Sequence, residues 1–295
     1  MMSALQVNGL TKSYGEKKAL DNFSMHISEG EIVGLVGRNG AGKTTLLNCI
    51  AGNIFPDAGS IFFDKYNLLK ESEIRKDFGI LIQPSFLDYM NTYDNLRLLQ
   101  NAVGIWDEKI IRKQSDEVLK IVGLENKGKT YVRSFSFGMK QRLGFAQALL
   151  NGHKFMILDE PFVGLDINGR EMVKEHIRKI VKEKQIGVIF SDHNLDEVRS
   201  LCERVIVIKD GEKVYDKGLE EESLYEIIVQ NISKEFVEAI SKIPGIEIDR
   251  DKNSLSFKGS ERINQVLVES MAYTRITSIK VSENNLEKLL KGDTE

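Results

Sequence analysis

The sequence predicts an α/β fold with a mixed sheet, an antiparallel β subdomain and an inserted helical subdomain, followed by a small α+β domain. Three observations predict it. The nearly continuous apolar run of residues 31–36 precedes a glycine-rich turn and a helical stretch, which is typical of a buried strand that leads into a helix. Helical periodicity replaces short alternating strands over about residues 93–150. After Gly218, three consecutive glutamates mark a boundary, so we expect domains at residues 1–218 and 219–295.

Strands open the first domain. Residues 5–7 and 23–27 alternate apolar and polar side chains, and Gly15 and Gly30 punctuate them. Further strands are expected at residues 59–64, 78–83, 154–158 and 186–190, with helices at residues 44–50, 93–150 and 168–184 and a hairpin at residues 204–216. Within the helical stretch, the residues that fit one helix are Leu96, Leu98 and Leu99, and those of a second apolar stripe are Ile110, Ile111, Val118, Leu119 and Val122.

The second domain reads as strand, helix, strand, strand, helix, strand. The six elements are expected at residues 225–229, 234–243, 246–250, 254–258, 262–273 and 276–281. This order is that of a ferredoxin-like split βαβ unit. A short final helix is expected at residues 286–290.

Composition limits the class of protein. The chain has 295 residues, 41% of them hydrophobic and 29% charged, which is typical of a globular protein. The net charge of −3 argues against a nucleic-acid partner. No apolar run approaches the roughly 18 residues of a membrane span, and we expect no signal peptide. Cys49 and Cys202 are isolated, so we expect buried structural thiols in a reducing compartment.

A phosphate-binding loop is predicted directly after the buried strand at residues 31–36. Small residues let the backbone curl so that N–H groups face phosphate oxygens, and the helix N-terminus adds its dipole. Lys43 would place a positive charge beside the β and γ phosphates, and the Thr44 hydroxyl would reach Mg²⁺. The residues predicted to bind nucleotide are Gly37, Arg38, Asn39, Gly40, Ala41, Gly42, Lys43, Thr44 and Thr45.

Two carboxylates end a second apolar run. Residues 155–158 are apolar, and Asp159 and Glu160 follow them. Adjacent side chains of a strand point to opposite sides, so the two acids should have different tasks. We expect Asp159 on the Mg²⁺ side and Glu160 as the general base for an attacking water. Lys43 and Asp159 lie farther apart in sequence than a bare nucleotide-binding core requires, which fits an inserted helical subdomain.

The stretch Ser-Phe-Ser-Phe-Gly-Met-Lys-Gln-Arg at residues 134–142 places a Ser-x-Gly loop before a helix. With the phosphate loop and the two acids, it resembles the signature of ATP-binding cassette (ABC) ATPases, over about residues 4–218. The resemblance implies that Ser136 and Gly138 contact the ATP of a second subunit. It also implies further catalytic, metal-sensing and nucleotide-contacting roles, for the lever-loop glutamine Gln83, the dimer-contact acid Asp166, the switch histidine His193 and the adenine-stacking Tyr14.

The signature loop departs from the usual Leu-Ser-Gly-Gly-Gln of that family. Phe135 replaces the leucine, Phe137 the first glycine and Met139 the glutamine, while Ser136 and Gly138 are kept. Two interpretations follow: a loop that still completes the facing site, or a degenerate loop whose site is inactive. We expect the first, because the substituted positions are not the main donors to phosphate.

The resemblance implies the ATPase subunit of an ABC transporter. Two copies would enclose two ATP–Mg²⁺ and drive a separate membrane permease through residues 83–95, from the cytoplasmic face of the membrane. The variant signature and the C-terminal extension resemble the bacitracin and lantibiotic immunity branch, which implies export of peptide antibiotics, drugs or similar amphipathic molecules.

Two alternatives stay open at this point. One is a soluble ABC-type ATPase of DNA repair, ribosomes or cluster assembly, although the chain lacks the long coiled-coil insertion and the second cassette of those classes. The other is a nucleotide sensor without hydrolysis, which Glu160 and His193 argue against. The C-terminal domain could be a dimer contact, a sensor or a structural cap.

Overall fold

The computed structural model describes residues 3–218, 224–259 and 262–282. The chain divides into two compact units, residues 1–219 and 220–295. The strands of the first unit are β1 (Ser3–Tyr14), β2 (Lys17–Ser28), β3 (Ile32–Val36), β4 (Ala58–Phe63), β5 (Tyr66–Asn67), β6 (Phe78–Leu81), β7 (Phe155–Asp159), β8 (Gly187–Asp192), β9 (Arg204–Lys209) and β10 (Glu212–Gly218). Its helices are α1 (Lys43–Ala51), α2 (Thr92–Ala102), α3 (Glu108–Ile121), α4 (Phe137–Asn151), α5 (Ile167–Lys184) and α6 (Leu195–Arg199).

A six-stranded sheet forms the centre of the first unit, in the order β10-β9-β3-β8-β7-β6. Strands β9, β3, β8, β7 and β6 run parallel, and β10 is antiparallel to β9. Every residue of β8 and four of the five residues of β7 are buried, as the continuous apolar runs predict. Because parallel strands share a direction, the carboxyl ends of β3, β6, β7 and β8 meet at one edge of the sheet.

The second sheet is antiparallel, in the order β2-β1-β4-β5. One hydrophobic core includes residues of both sheets and of α1. In it, the Phe63 ring packs edge-on against Phe78 and Phe155, with ring centroids 4.9 Å and 6.0 Å apart. The predicted α/β class, with its mixed and antiparallel sheets, is confirmed.

Two of the predicted apolar stripe residues point outward. Leu96, Ile111 and Leu119 are buried, but Leu98 and Ile110 are exposed. The buried face of α3 is therefore narrower than the predicted apolar stripe, which included Ile110. Helix α3 packs mainly against α2 and α4, and its remaining side faces solvent. Asn91, Asp107 and Ser136 cap α2, α3 and α4 through side-chain oxygens that accept backbone N–H groups.

Strands β9 and β10 form the hairpin that the sequence predicts at residues 204–216. Lys209 pairs with Glu212, so the loop is two residues long, and both Asp210 and Gly211 have positive φ (50° and 85°). That is the type I′ geometry that Asp-Gly favours.

A charge network fixes this hairpin to the sheet. The Arg204 guanidinium donates to Asp216 Oδ1 at 2.7 Å and to Glu31 Oε1 at 2.8 Å. Lys213 Nζ donates to the other Asp216 oxygen at 2.8 Å. Burial alone would raise the pKa of Asp216, but the hydrogen bonds from Arg204 and Lys213 lower it below its usual value.

We expect Asp216→Asn to lower the free energy of unfolding at pH 7 by about 1–3 kcal/mol, because Arg204 loses a charged acceptor. Since the folded pKa of Asp216 is depressed, its contribution is present above the unfolded pKa of about 4 and is lost as pH falls through the folded value. Urea unfolding at several pH values should show the wild-type advantage shrinking below about pH 4. An advantage that grew on acidification would contradict this.

The second unit contains β11 (Leu224–Val229), α7 (Lys234–Ile240), β12 (Ile246–Asp249), β13 (Ser254–Lys258), α8 (Ile263–Tyr273) and β14 (Ile276–Ser282). Its sheet order is β12-β13-β11-β14, and each neighbouring pair is antiparallel. Strand β13 thus separates the two strands of the first βαβ unit, which makes it a split βαβ. The core of this unit includes Ile227, Phe236, Leu255 and Phe257.

Helix α7 ends at Ile240, earlier than the predicted end at Ile243. Ile243 precedes Pro244, which disfavours helical backbone at that position, and Gly245 follows with φ 80°. Ile243 is nevertheless buried. The predicted helix at residues 286–290 lies outside the described residues.

Candidate functional site

The glycine-rich loop lies between β3 and α1, where only glycine fits at two positions. A Cβ at Gly37 would lie 2.4 Å from the Ile208 carbonyl oxygen, and one at Gly42 would lie 2.4 Å from that of Ala19. Gly42 also has φ 115° and is the N-cap of α1. It offers no capping side chain, so the first N–H groups of α1 are available to an anion.

Lys43 is buried behind this loop. Its Nζ donates to the carbonyl oxygens of Gly37 at 2.7 Å and Arg38 at 3.3 Å. Burial lowers the pKa of Lys43, while the nearby carboxylates of Glu160 and Asp159 oppose that shift. The loop therefore holds a desolvated ammonium group at the place where the sequence predicts the β and γ phosphates.

A cavity of about 400 Å³ opens over the loop, a size that suits a small-molecule ligand. Its lining residues are Tyr14, Lys17, Ala19, Asn39, Gly40, Gly42, Lys43, Thr44, Thr45 and Glu160. Tyr14 is half exposed at the end of β1 and lines this cavity. Lys17 and Ala19 of β2 were not predicted, since strand pairing rather than sequence spacing brings them here.

Asp159 lies beside Thr44, which lines the cavity. The Thr44 hydroxyl donates to Asp159 Oδ2 at 2.8 Å, and the Ser191 hydroxyl donates to Oδ1 at 2.5 Å. Hydroxyl and carboxylate oxygens are hard donors, and Mg²⁺ prefers such ligands together with water and substrate phosphate. The pair therefore fits the predicted metal role, and no cluster of three acidic, histidine or cysteine side chains among the described residues offers a competing site.

Glu160 has a left-handed backbone, with φ 48°, a conformation that non-glycine residues adopt only when their surroundings enforce it. Its N–H donates to the Ser191 hydroxyl at 3.0 Å and lies 3.2 Å from the Ser191 carbonyl oxygen. Its carbonyl oxygen accepts from Gln141 Nε2 at 3.1 Å. The sequence predicted Glu160 but neither Ser191 nor Gln141 as its supports. The Glu160 side chain remains partly exposed toward the cavity.

His193 stands next to Glu160. Its Nδ1 is 3.5 Å from Glu160 Oε1 and 3.7 Å from Asp192 Oδ1, and the imidazole is 61% exposed. Asp192 is buried, and burial raises its pKa. Lys43, Thr44, Asp159, Glu160 and His193 thus lie together at the carboxyl edge of β7 and β8. Gln83 lies two residues after β6, has φ 44° and is exposed. Its side chain makes no hydrogen bond to any residue that the structure describes.

Ser136 and Gly138 lie at a different cavity, of about 340 Å³. The residues that line it are Gly123, Leu124, Lys127, Ser136, Gly138, Met139, Arg142, Gly164, Leu165 and Asp166. None of them lines the cavity over the phosphate loop. Ser136 caps α4, its hydroxyl accepting from the Met139 N–H at 3.3 Å.

The unusual signature residues have ordinary surroundings. Phe135 is buried, as a leucine would be. Phe137 is 63% exposed, and its ring lies against Gly164, where a Cβ would come 2.3 Å from Phe137 Cδ1. Gly138 also lies close to Gly164, since a Cβ on Gly138 would be 2.7 Å from the Gly164 carbonyl oxygen. The bulk of Phe137 is therefore accommodated by a glycine.

Asp166 is the N-cap of α5. Its Oδ1 accepts from the Gly169 N–H at 2.9 Å and from Arg142 Nη2 at 2.9 Å. The Gly169 hydrogen bond lowers the pKa of Asp166, and Arg142 lowers it further.

Known proteins resemble this chain in sequence and in fold. A sequence profile described as ABC transporter matches residues 20–163. The bacitracin transport ATP-binding protein of Bacillus licheniformis is 33% identical and aligns over 100% of this chain and 99% of its own length. A methionine import ATP-binding protein of Clostridium tetani is 38% identical over 72% of this chain and 69% of its own. A dimeric ATP-binding cassette, solved after hydrolysis with ADP and Pi, has a TM-score of 0.69 and 28% identity, covering 73% of this chain and 99% of that one. No helix among the described residues is long and apolar enough to span a membrane.

Proposed function

The chain belongs to the ATP-binding proteins of ABC transporters and is an ATPase, and from this membership we propose that two copies enclose two ATP–Mg²⁺ to drive a separate membrane permease. The main support for the proposal is that the two cavities are separate. Ser136 and Gly138 line one, and the phosphate loop lines the other. If Ser136 and Gly138 contact ATP, that ATP is held by the phosphate loop of a facing subunit.

The geometry supports a division of tasks around ATP. The N–H groups at the start of α1 and the Lys43 ammonium would hold the phosphates, and Tyr14 would stack on the adenine. Thr44 and Asp159 would hold Mg²⁺, which supplies charge neutralisation at the β and γ phosphates. Gln83 would join this metal shell when the subunits close.

Glu160 is placed to orient the attacking water. Its carboxylate borders the cavity, and its backbone is held by Ser191 and Gln141. His193, whose Nδ1 lies 3.5 Å from that carboxylate, would contact the γ-phosphate. The strained backbone at Glu160 supports this role, because such strain persists chiefly where function requires a fixed direction.

The permease is proposed to be a peptide-antibiotic or drug exporter. The relative named for bacitracin transport aligns with the whole chain, including the second unit, whereas the relative named for methionine import aligns with 72% of it. The second unit therefore favours the first branch. The proposed place of the chain is the cytoplasmic face of the membrane, held there by the permease.

Affinity purification of the tagged chain from detergent-solubilised membranes tests the proposal. We expect a polytopic membrane protein to copurify in fixed ratio, both with the wild-type chain and with Lys43→Ala, because permease docking would not require ATP hydrolysis. Copurification of ribosomal or DNA-repair proteins instead, with no polytopic partner, would favour a soluble ABC-type ATPase and contradict the proposal.

A further inference from the structure

Two arginines hold the segment of residues 161–166, called the connector loop below, which begins directly after Glu160 and ends at Asp166. From one side, Arg142 of α4 donates to Asp166 Oδ1 at 2.9 Å. From the other side, Arg170 of α5 donates through Nε to the Leu165 carbonyl oxygen at 3.1 Å. The same Arg170 donates through Nη1 to Glu197 Oε1 of α6 at 2.8 Å.

Glu197 forms ion pairs with both Arg170 and Lys174. It is 12% exposed, and Lys174 Nζ lies 2.5 Å from its Oε2. Lys174 is itself buried, with its ammonium 5.7 Å from the centre of the Phe162 ring in the connector loop. Both cations around Glu197 therefore also interact with the connector loop, Arg170 by a hydrogen bond to a carbonyl oxygen and Lys174 by a cation–π approach to an aromatic ring.

Helix α6 links this network to His193. It is five residues long and begins two residues after His193, with Asn194 as its N-cap. So short a helix is held mainly by tertiary contacts, which here include the buried Val198 and Glu197. A shift of α6 would therefore displace His193, which lies 3.5 Å from Glu160.

We propose that Arg170 and Glu197 are positioning residues for ATP hydrolysis, which fix the connector loop and His193 relative to each other. The proposal rests on the ATPase function above. A guanidinium can use two nitrogens at fixed angles for a carbonyl oxygen and a carboxylate, so one side chain sets both positions. A lysine has the charge but only one nitrogen.

Arg178 provides a matched control. It lies two turns further along α5, and its Nη2 donates to the Ser200 carbonyl oxygen at the end of α6. It therefore joins the same two helices but has no hydrogen bond to the connector loop within the described residues. Arg178→Gln removes a helix-to-helix contact of similar kind without affecting the loop.

The test compares Arg170→Gln, Arg170→Lys and Arg178→Gln in the full-length chain. We expect kcat for ATP to fall at least tenfold in both Arg170 variants, with KM within twofold of wild type, because the ATP cavity is not touched. Arg178→Gln should keep kcat within twofold. Hydrogen–deuterium exchange should become faster in both peptides, residues 161–169 and residues 193–199, in the Arg170 variants, whereas Arg178→Gln should leave the exchange of residues 161–169 unchanged.

A kcat within twofold of wild type for Arg170→Gln, or an equal loss for Arg178→Gln, would overturn the proposal. Arg170→Lys covers the case in which the glutamine variant does not fold. If the purified wild-type chain hydrolysed no ATP without its permease, kcat could not be compared, and exchange alone would decide the positioning role. Unchanged exchange in both peptides would then overturn it.

Discussion

Glu160→Gln is expected to slow ATP hydrolysis by about 10²–10⁴-fold, the usual contribution of a general base, while ATP binding persists. Glutamine has nearly the size of glutamate, and Ser191 and Gln141 hold the backbone rather than the side chain of residue 160. The substitution therefore removes the basic carboxylate and little else. Since ATP would still be bound at both sites, the two subunits should stay closed around it.

The measurement is the ATPase rate of the purified chain, together with size-exclusion chromatography in ATP and Mg²⁺. The variant should elute as a dimer with ATP and as a monomer without it. Glu175→Gln, at an exposed glutamate of α5, is the matched control and should behave as wild type. Normal turnover by Glu160→Gln would remove Glu160 from the role of base.

The phosphate loop and the two carboxylates could be predicted because each follows a continuous apolar strand in the sequence. Their joint position also follows, since β3 and β7 are parallel strands that end at the same edge of the sheet. The hydrogen bonds that hold the Glu160 backbone could not be predicted in this way. Ser191 bridges Asp159 and Glu160 because β8 pairs with β7 in a register that sets Asp159 opposite Ser191, and periodicity within one strand carries no information about register.

The signature loop shows a second limit of sequence reasoning. The change of a glycine to Phe137 suggests crowding, yet the ring lies against Gly164. Gly164 is far away in sequence, with φ 74°, and its lack of a Cβ makes room for the aromatic ring. Retention of activity by this loop stays a prediction, but steric crowding within one subunit does not argue against it.

Lys43→Ala is expected to abolish detectable ATP hydrolysis and to weaken ATP binding strongly. The Lys43 ammonium is the buried cation of the phosphate loop, with the carboxylates of Glu160 and Asp159 nearby. Without it, triphosphate would approach those carboxylates without the buried positive charge of the loop. The N–H groups at the start of α1 would remain, but they are dipoles rather than full charges.

The same variant should not lose stability. Burial lowers the pKa of Lys43, which means that the folded protein disfavours the charged form there. We therefore expect thermal unfolding of the nucleotide-free Lys43→Ala chain at a Tm equal to or above that of wild type, while the stabilisation of wild type by added ATP disappears. Lys182→Ala, on the exposed face of α5, is the control and should keep both ATPase activity and the ATP-dependent rise in Tm. Unaltered ATPase activity in Lys43→Ala would refute the assignment, because a lysine held by the carbonyl oxygens of Gly37 and Arg38 would then be only a structural part of the loop.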